Sequence, residues 1–334
     1  CRMCNQARLT LLFSRLLAAL WRLGHPSGER VVRAELLNAL AVTRVLMPIV
    51  LEDVGDMGIK TLLWSSLCHP ATGDDAGGPA LDACLPWGGA AGSDEGPPTT
   101  LGGGLIAALL RISFLPGFTL PESYWVPAPS DAWSGSSADA DAAREATLSA
   151  LLSCSCESLY SSPEQLPEAS SNLLLRALLM APSPYGAALV RSLLGVIGRY
   201  RVAGHWALPF SSVLAADTAR GVVFLGSQLL LAMLLQPVAA AADSPKAALH
   251  PVHAYLEEDG ALDDVALSSF LDGLLLALDY GLDARDSLVY GSRGVKLEFE
   301  EELLILLWHM VCRSPAFCSA LAASTERFRK LLAA

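Results

Sequence analysis

Residues 297–313 read LEFEEELLILLWHMVCR. Glu298, Glu300, Glu301 and Glu302 crowd the start of this run, where carboxylates complement the positive end of a helix macrodipole. Apolar residues then fill Leu303 to Val311, so the run predicts a helix that makes its core contacts after the first turn. The alternative reading of the four acids is a metal or partner site. Trp308 shares a helical face with Leu304 and, a turn onward, Cys312. The leucine-rich surround predicts a core position for it, where replacement by alanine would cost on the order of 3 to 5 kcal/mol. The competing reading is an exposed hot spot for a partner.

The same apolar spacing of three and four residues recurs over about 5–23, 29–51, 105–115, 142–160, 170–181, 185–200, 217–236 and 261–280. Strand-like alternation is confined to short pieces such as Gly294 to Phe299, so the fold class is all-α. Helices of about 12 to 20 residues joined by short turns predict one irregular armadillo- or HEAT-like α-solenoid over residues 1–334. Pro48 predicts a kink within Val45 to Leu51, and Pro182 and Pro184 separate two helices after Met180.

Residues 68–104 hold ten of the 27 glycines and five of the 20 prolines, with Asp74, Asp75, Asp94 and Glu95, and predict a flexible acidic insertion. Gly102, Gly103 and Gly104 read as its end, because no lysine follows to make a phosphate loop. Residues 126–141 form a shorter linker with Pro127, Pro129 and Gly135, and Ala239 to Pro245 is a third break. Cys1 in place of a methionine, and helical amphipathicity from Thr325 to Ala334 without a stop signal, predict a fragment of a longer chain.

Of 334 residues, 52% are hydrophobic and 17% charged, with mean hydropathy +0.41, which excludes a disordered chain. Lys and Arg number 23 against 34 Asp and Glu; a net charge of −11 argues against nucleic-acid binding. Residues 1–44 nevertheless carry seven arginines (2, 8, 15, 22, 30, 33 and 44) against Glu29 and Glu35, a balance of +5 that leaves −16 for the remainder. Arg8, Arg15 and Arg22 beside Leu9, Leu12, Leu16 and Leu20 fit an organelle presequence, but the simpler expectation is the first helix of the fold. Gly221 to Ala242 is a 22-residue stretch without Asp, Glu, Lys or Arg, long enough to span a bilayer. Gln228, Gln236 and Pro237 favour a buried helix instead, with an integral membrane protein spanning 221–242 as the alternative.

The eight cysteines are too sparse for a disulfide framework and predict reduced thiols. Cys1 and Cys4 have the spacing of half a zinc site, with no second pair at finger-like distance. Cys154 and Cys156 point about 200° apart on a helix and cannot chelate one ion together. Packing is the expectation for Cys312 and Cys318, and His309 is read as a core or groove histidine. His250, His253 and Glu257 are spaced to share a helical face, a candidate metal-dependent or acid–base site. Pro251 between the histidines favours a capping and surface role. No nucleophile elbow, dinucleotide-binding glycine motif or phosphate loop occurs, so catalytic, cofactor-binding and metal residues are expected to be none, and the protein is expected not to be an enzyme.

Several segments together resemble the high-temperature-induced dauer formation protein family of dymeclin-related, helical Golgi proteins. Thr43 to Asp53, TRVLMPIVLED, followed by Leu63 and Trp64, is similar to a family helix that ends in Glu-Asp and leads to a tryptophan. Leu109 to Pro121, LLRISFLPGFTLP, with Tyr124 and Trp125, and then Glu145 to Tyr160, EATLSALLSCSCESLY, continue the same order. Leu297 to Leu321, LEFEEELLILLWHMVCRSPAFCSAL, resembles the family's closing signature, although Ser314-Pro315-Ala316 stands where the family has paired lysines before Phe317. The likeness runs over about residues 9–332. It implies a non-enzymatic, cytoplasmic protein peripheral on Golgi and trans-Golgi network membranes. Such a protein would act as a helical scaffold in vesicle-mediated transport, protein sorting and secretory-granule (dense-core vesicle) biogenesis. Its implied partners are proteins of the Golgi trafficking machinery and the Golgi membrane surface, reached through a family lipid anchor upstream of this sequence. An acyl anchor is marginal alone, so the basic residues of 1–44 are expected to assist on anionic lipid.

Overall fold

The computed structural model describes residues 2–23, 33–53, 62–64, 100–115, 138–160, 172–179, 185–200, 219–236, 250, 252, 264–287, 297–324 and 329. Helices dominate them: α1 (Arg2–Leu23), α2 (Arg33–Asp53), α3 (Leu101–Ser113), α4 (Ala138–Cys154), α5 (Leu173–Leu179), α6 (Tyr185–Arg199), α7 (Ala219–Leu235), α8 (Asp264–Ser287), α9 (Glu300–Arg313) and α10 (Pro315–Ala322). A 3-10 turn, Glu157–Tyr160, follows α4. No strand occurs among the described residues, and the fold is all-α.

Local chemistry fixes the helix starts. Thr100 caps α3, its hydroxyl accepting from the Gly103 N–H at 3.2 Å. Ser314 caps α10 in the same way through the Phe317 N–H at 3.3 Å, with Pro315 at the first helical position, where its missing N–H is not needed. At α5 the Leu175 N–H donates to Asn172 Oδ1 and the Leu173 N–H to Glu157 Oε2, both at 2.9 Å. Asn172 Nδ2 reaches back to the Ser155 carbonyl at 2.8 Å, so the start of α5 is tied to the end of α4.

Packing follows two lines. In one, α1 lies on α3, α3 on α6, α6 on α8 and α8 on α10; in the other, α2 lies on α4, α4 on α7 and α7 on α9. The lines are joined by α1 on α2, α3 on α4, α6 on α7 and α8 on α9, while α5 sits against α3 and α7. One hydrophobic cluster runs from Phe13 in α1 to Leu321 in α10. Within it Tyr200 meets Phe299 edge-on at 5.5 Å, and Phe270 meets Phe317 at 6.1 Å. The α6–α8 crossing is the tightest: a Cβ added to Gly198 would lie 2.6 Å from Phe270 Cα, and one on Gly273 would run into the Gly198 carbonyl. Only glycine lets two backbones approach so closely.

The structure moves some boundaries. Gly102–Gly104 belong to the first turn of α3 and not to the end of an insertion. A Cβ on Gly102 would meet the Leu63 carbonyl and the Trp64 ring at 3.2 Å, and one on Gly104 would meet Leu17 Cδ2 at 3.0 Å, so these glycines are packing positions. The rest of the expected insertion, 68–99, lies outside the described residues. Of the expected linker 126–141, residues 138–141 are already helix, and Asp141 is buried there against Arg144 at 2.6 Å. Residues 126–137 lie outside the described residues, as do 239–245. Pro48 lies inside α2, which continues to Asp53. α1 is the first helix of the fold, with Phe13, Leu16, Leu17, Leu20 and Trp21 in the core.

The stretch 221–242 does not form a spanning helix in its described part. α7 has 17 residues, short of the roughly 20 that a bilayer requires. Its Val222, Val223, Leu229 and Met233 are fully buried by neighbouring helices, and residues 237–242 lie outside the described set. By length and composition alone, Ala34–Glu52 of α2 would suffice to cross a membrane. Leu36, Leu40, Met47 and Val50 of that helix face the core.

Candidate interaction surface

α9 is apolar on more of its circumference than one core contact uses. Leu303, Leu306, Leu307 and Met310 are buried. Leu304 (40% exposed), Trp308 (62%) and Val311 (36%) form an outward row at i, i+4, i+7, with Ile305 and Cys312 also exposed beside it. Trp308 is therefore not a core residue. It does share a face with Leu304 and Cys312, but that face is the outer one, and the indole rests edge-on against the His309 ring at 4.9 Å.

The polar flank of α9 shows which way the apolar one points. Gln228 Nε2 of α7 donates to Glu302 Oε1 at 3.2 Å, and Arg220 of α7 pairs with Glu298 at 3.2 Å just before α9. Leu304 and Val311 lie about half a turn around the helix from Glu302. The apolar flank thus faces away from α7, on the side where another helix would extend the line α2–α4–α7–α9. α10 borders its far end, where Cys318 Sγ donates to the Val311 carbonyl at 3.0 Å. Glu300 turns into the core, Glu301 into solvent and Glu302 to Gln228, so the acidic turn is shared out between packing and solvent. Around this helix His309, next to Arg313, has its pKa lowered, first by burial and then by the arginine charge.

The other candidate residues are dispersed. His250 is half-buried; its Nε2 lies 2.9 Å from the Gln236 carbonyl, and its Nδ1 accepts from the Val252 N–H at 3.3 Å. That pattern makes Nε2 the protonated nitrogen and leaves neither ring nitrogen for a metal. Burial chiefly lowers its pKa, as does Arg313, against the opposing effect of the bond to Gln236. His253 and Glu257 lie outside the described residues, as do His25, His69, His205, Cys68, Cys84 and the side chains of Cys1 and Cys4. Among the described residues no group of three or more His, Cys, Asp or Glu is placed to hold a metal ion.

Cys154 is fully buried, which pushes its thiol pKa up. Cys156 is partly buried, its pKa likewise raised by burial, and donates to the Leu152 carbonyl at 3.0 Å. Cys318 packs, but Cys312 is exposed and so departs from the packing role expected of it.

Sequence reasoning missed Leu304, Ile305 and Val311 as surface residues. The available signal was the polar trio Glu302, His309 and Arg313: it marks one flank only, leaving a wider apolar arc than a core-facing helix needs.

The profile of the high-temperature-induced dauer-formation protein family matches residues 4–332. No curated protein and no solved structure gives a significant match. The chain belongs to that family.

Proposed function

From that membership we propose that the protein is a non-enzymatic helical scaffold, peripheral on the cytoplasmic face of Golgi and trans-Golgi network membranes. There it would hold protein partners during protein sorting and secretory-granule biogenesis. The two lines of helices, each packed on the next and joined by cross-pairs, support an armadillo- or HEAT-like stacking. Such a stack needs a polar cap at its ends to stay uncovered. The observation that carries the reading is the outward apolar row of α9 with Trp308 at its centre, where a cap is lacking on the described face. A row at i, i+4, i+7 matches the geometry of an amphipathic helix laid along it, and a large aromatic at the centre is a common energetic anchor. The partner helix would bring an apolar stripe for Leu304, Trp308 and Val311 and a basic residue for the exposed Glu301.

The test is cargo sorting in secretory cells lacking the endogenous protein. Wild-type chain restores granule cargo to Golgi-derived granules and collects at the Golgi, while Trp308→Glu, equally stable by thermal melt, does not restore sorting. Equal rescue by Trp308→Glu, or a wild-type chain that never reaches the Golgi, would refute the proposal.

A further inference from the structure

The outer face of α1 has a composition found nowhere else in this acidic protein. α1 contains four arginines and no acid in 22 residues. Its inward face, Phe13, Leu16, Leu17, Leu20 and Trp21, packs on α2 and α3. On the opposite face Arg8, Arg15 and Arg22, seven residues apart, fall into one exposed row. Leu11 (54% exposed) and Leu12 (43%) flank that row and turn outward with it. The Arg22 side chain, 76% exposed, comes no closer than 4.0 Å to Glu35, a separation at which an exposed pair is weak.

We propose that this face docks on a lipid bilayer carrying anionic headgroups, with α1 lying in the plane of the interface. Arginines in a row with outward leucines suit such a surface in both respects. The guanidinium groups meet headgroup phosphates and carboxylates, and the leucines enter the acyl boundary. A soluble polyanion such as a nucleic acid would satisfy the arginines and leave Leu11 and Leu12 in water. Charge also sets the orientation: residues 45–334 carry −16, so an anionic membrane repels the remainder of the molecule and attracts α1. This inference rests on the peripheral-membrane part of the proposed function and assigns it a contact face.

The test is co-sedimentation of the full chain with phosphatidylcholine vesicles, with and without about one-quarter phosphatidylserine. Wild type binds the anionic vesicles, spares the neutral ones, and loses binding as salt rises. Arg8→Gln/Arg15→Gln lowers binding by roughly tenfold or more, since each arginine near such a surface contributes about a fivefold factor. Leu11→Ser/Leu12→Ser also weakens it. All four positions are exposed, so thermal melts should match wild type. The inference is overturned if wild type ignores anionic vesicles, or if the folded arginine variant binds them unchanged. It also fails if binding to a soluble polyanion matches vesicle binding and the leucine variant has no effect. A chain that binds vesicles through α1 yet fails to sort cargo would break the proposed function alone; one that sorts cargo but does not bind through α1 would break this inference alone.

Discussion

α8 and α9 are neighbours in the fold and similar in leucine content, yet one is enclosed and the other is half uncovered. α8 has α6 on one side and α10 on the other, with α9 across from it. Accordingly Leu267, Phe270, Leu271, Leu274, Leu275, Ala277 and Leu278 are all buried. α9 has α7 on its acidic flank and α8 beneath, and its remaining flank keeps Leu304, Ile305, Trp308 and Val311 exposed. Burial here is therefore decided by how many neighbours a helix has in its line, and composition alone does not distinguish a core helix from an uncapped one.

The largest effect should come from the enclosed side of this contrast. Gly273→Val forces a branched side chain into the Gly198 carbonyl and the α6 backbone, which cannot yield as a side chain would. It should cost about 4 kcal/mol or more, read as a large drop in melting temperature or a failure to fold. A near-wild-type melt would show that α6 and α8 do not cross at their glycines.

Adjacent residues of α9 sharpen the comparison further. Leu303→Ala removes a fully buried side chain and should cost about 3 kcal/mol, whereas Leu304→Ala, one position along, should stay within about 0.5 kcal/mol of wild type. Equal losses would mean that the outer flank is covered after all. Thiol labelling of the native protein should separate the same two environments: Cys312 reacts with maleimide, while Cys154 is protected until unfolding. Protection of Cys312 would again put a cover over α9.

How far the sequence foretold this is clearest in single residues. The helical stretches were legible because apolar spacing repeats along each one, and the capping chemistry of Ser314 before Pro315 is local. Gly102–Gly104 misled, since three glycines read as linker when their reason lies in Leu17, Leu63 and Trp64, far away in the chain. The Gly198–Gly273 contact had no local signature for the same reason. Trp308 was placed on the right face of α9, but the run from Leu303 to Leu307 is apolar all round, so periodicity could not say which side faced inward.

The smallest expected effect is a pH dependence. Burial holds the His250 pKa below its ordinary 6.5, so the unfolded chain takes up a proton first as pH falls. The stability is whole above pH 6.5 and declines below it, towards the lowered folded value. His250→Gln should flatten the melting temperature in that window; an unchanged slope would assign the dependence to other groups.

The central claim is that α9 presents its apolar flank to a partner and not to the core, and Trp308→Ala tests it most directly. At 62% exposure the indole adds little to folding, so the melting temperature should stay within experimental scatter of wild type while Golgi recruitment or cargo sorting is lost. A fall of several degrees, the mark of a core residue worth about 3 kcal/mol or more, would contradict the account.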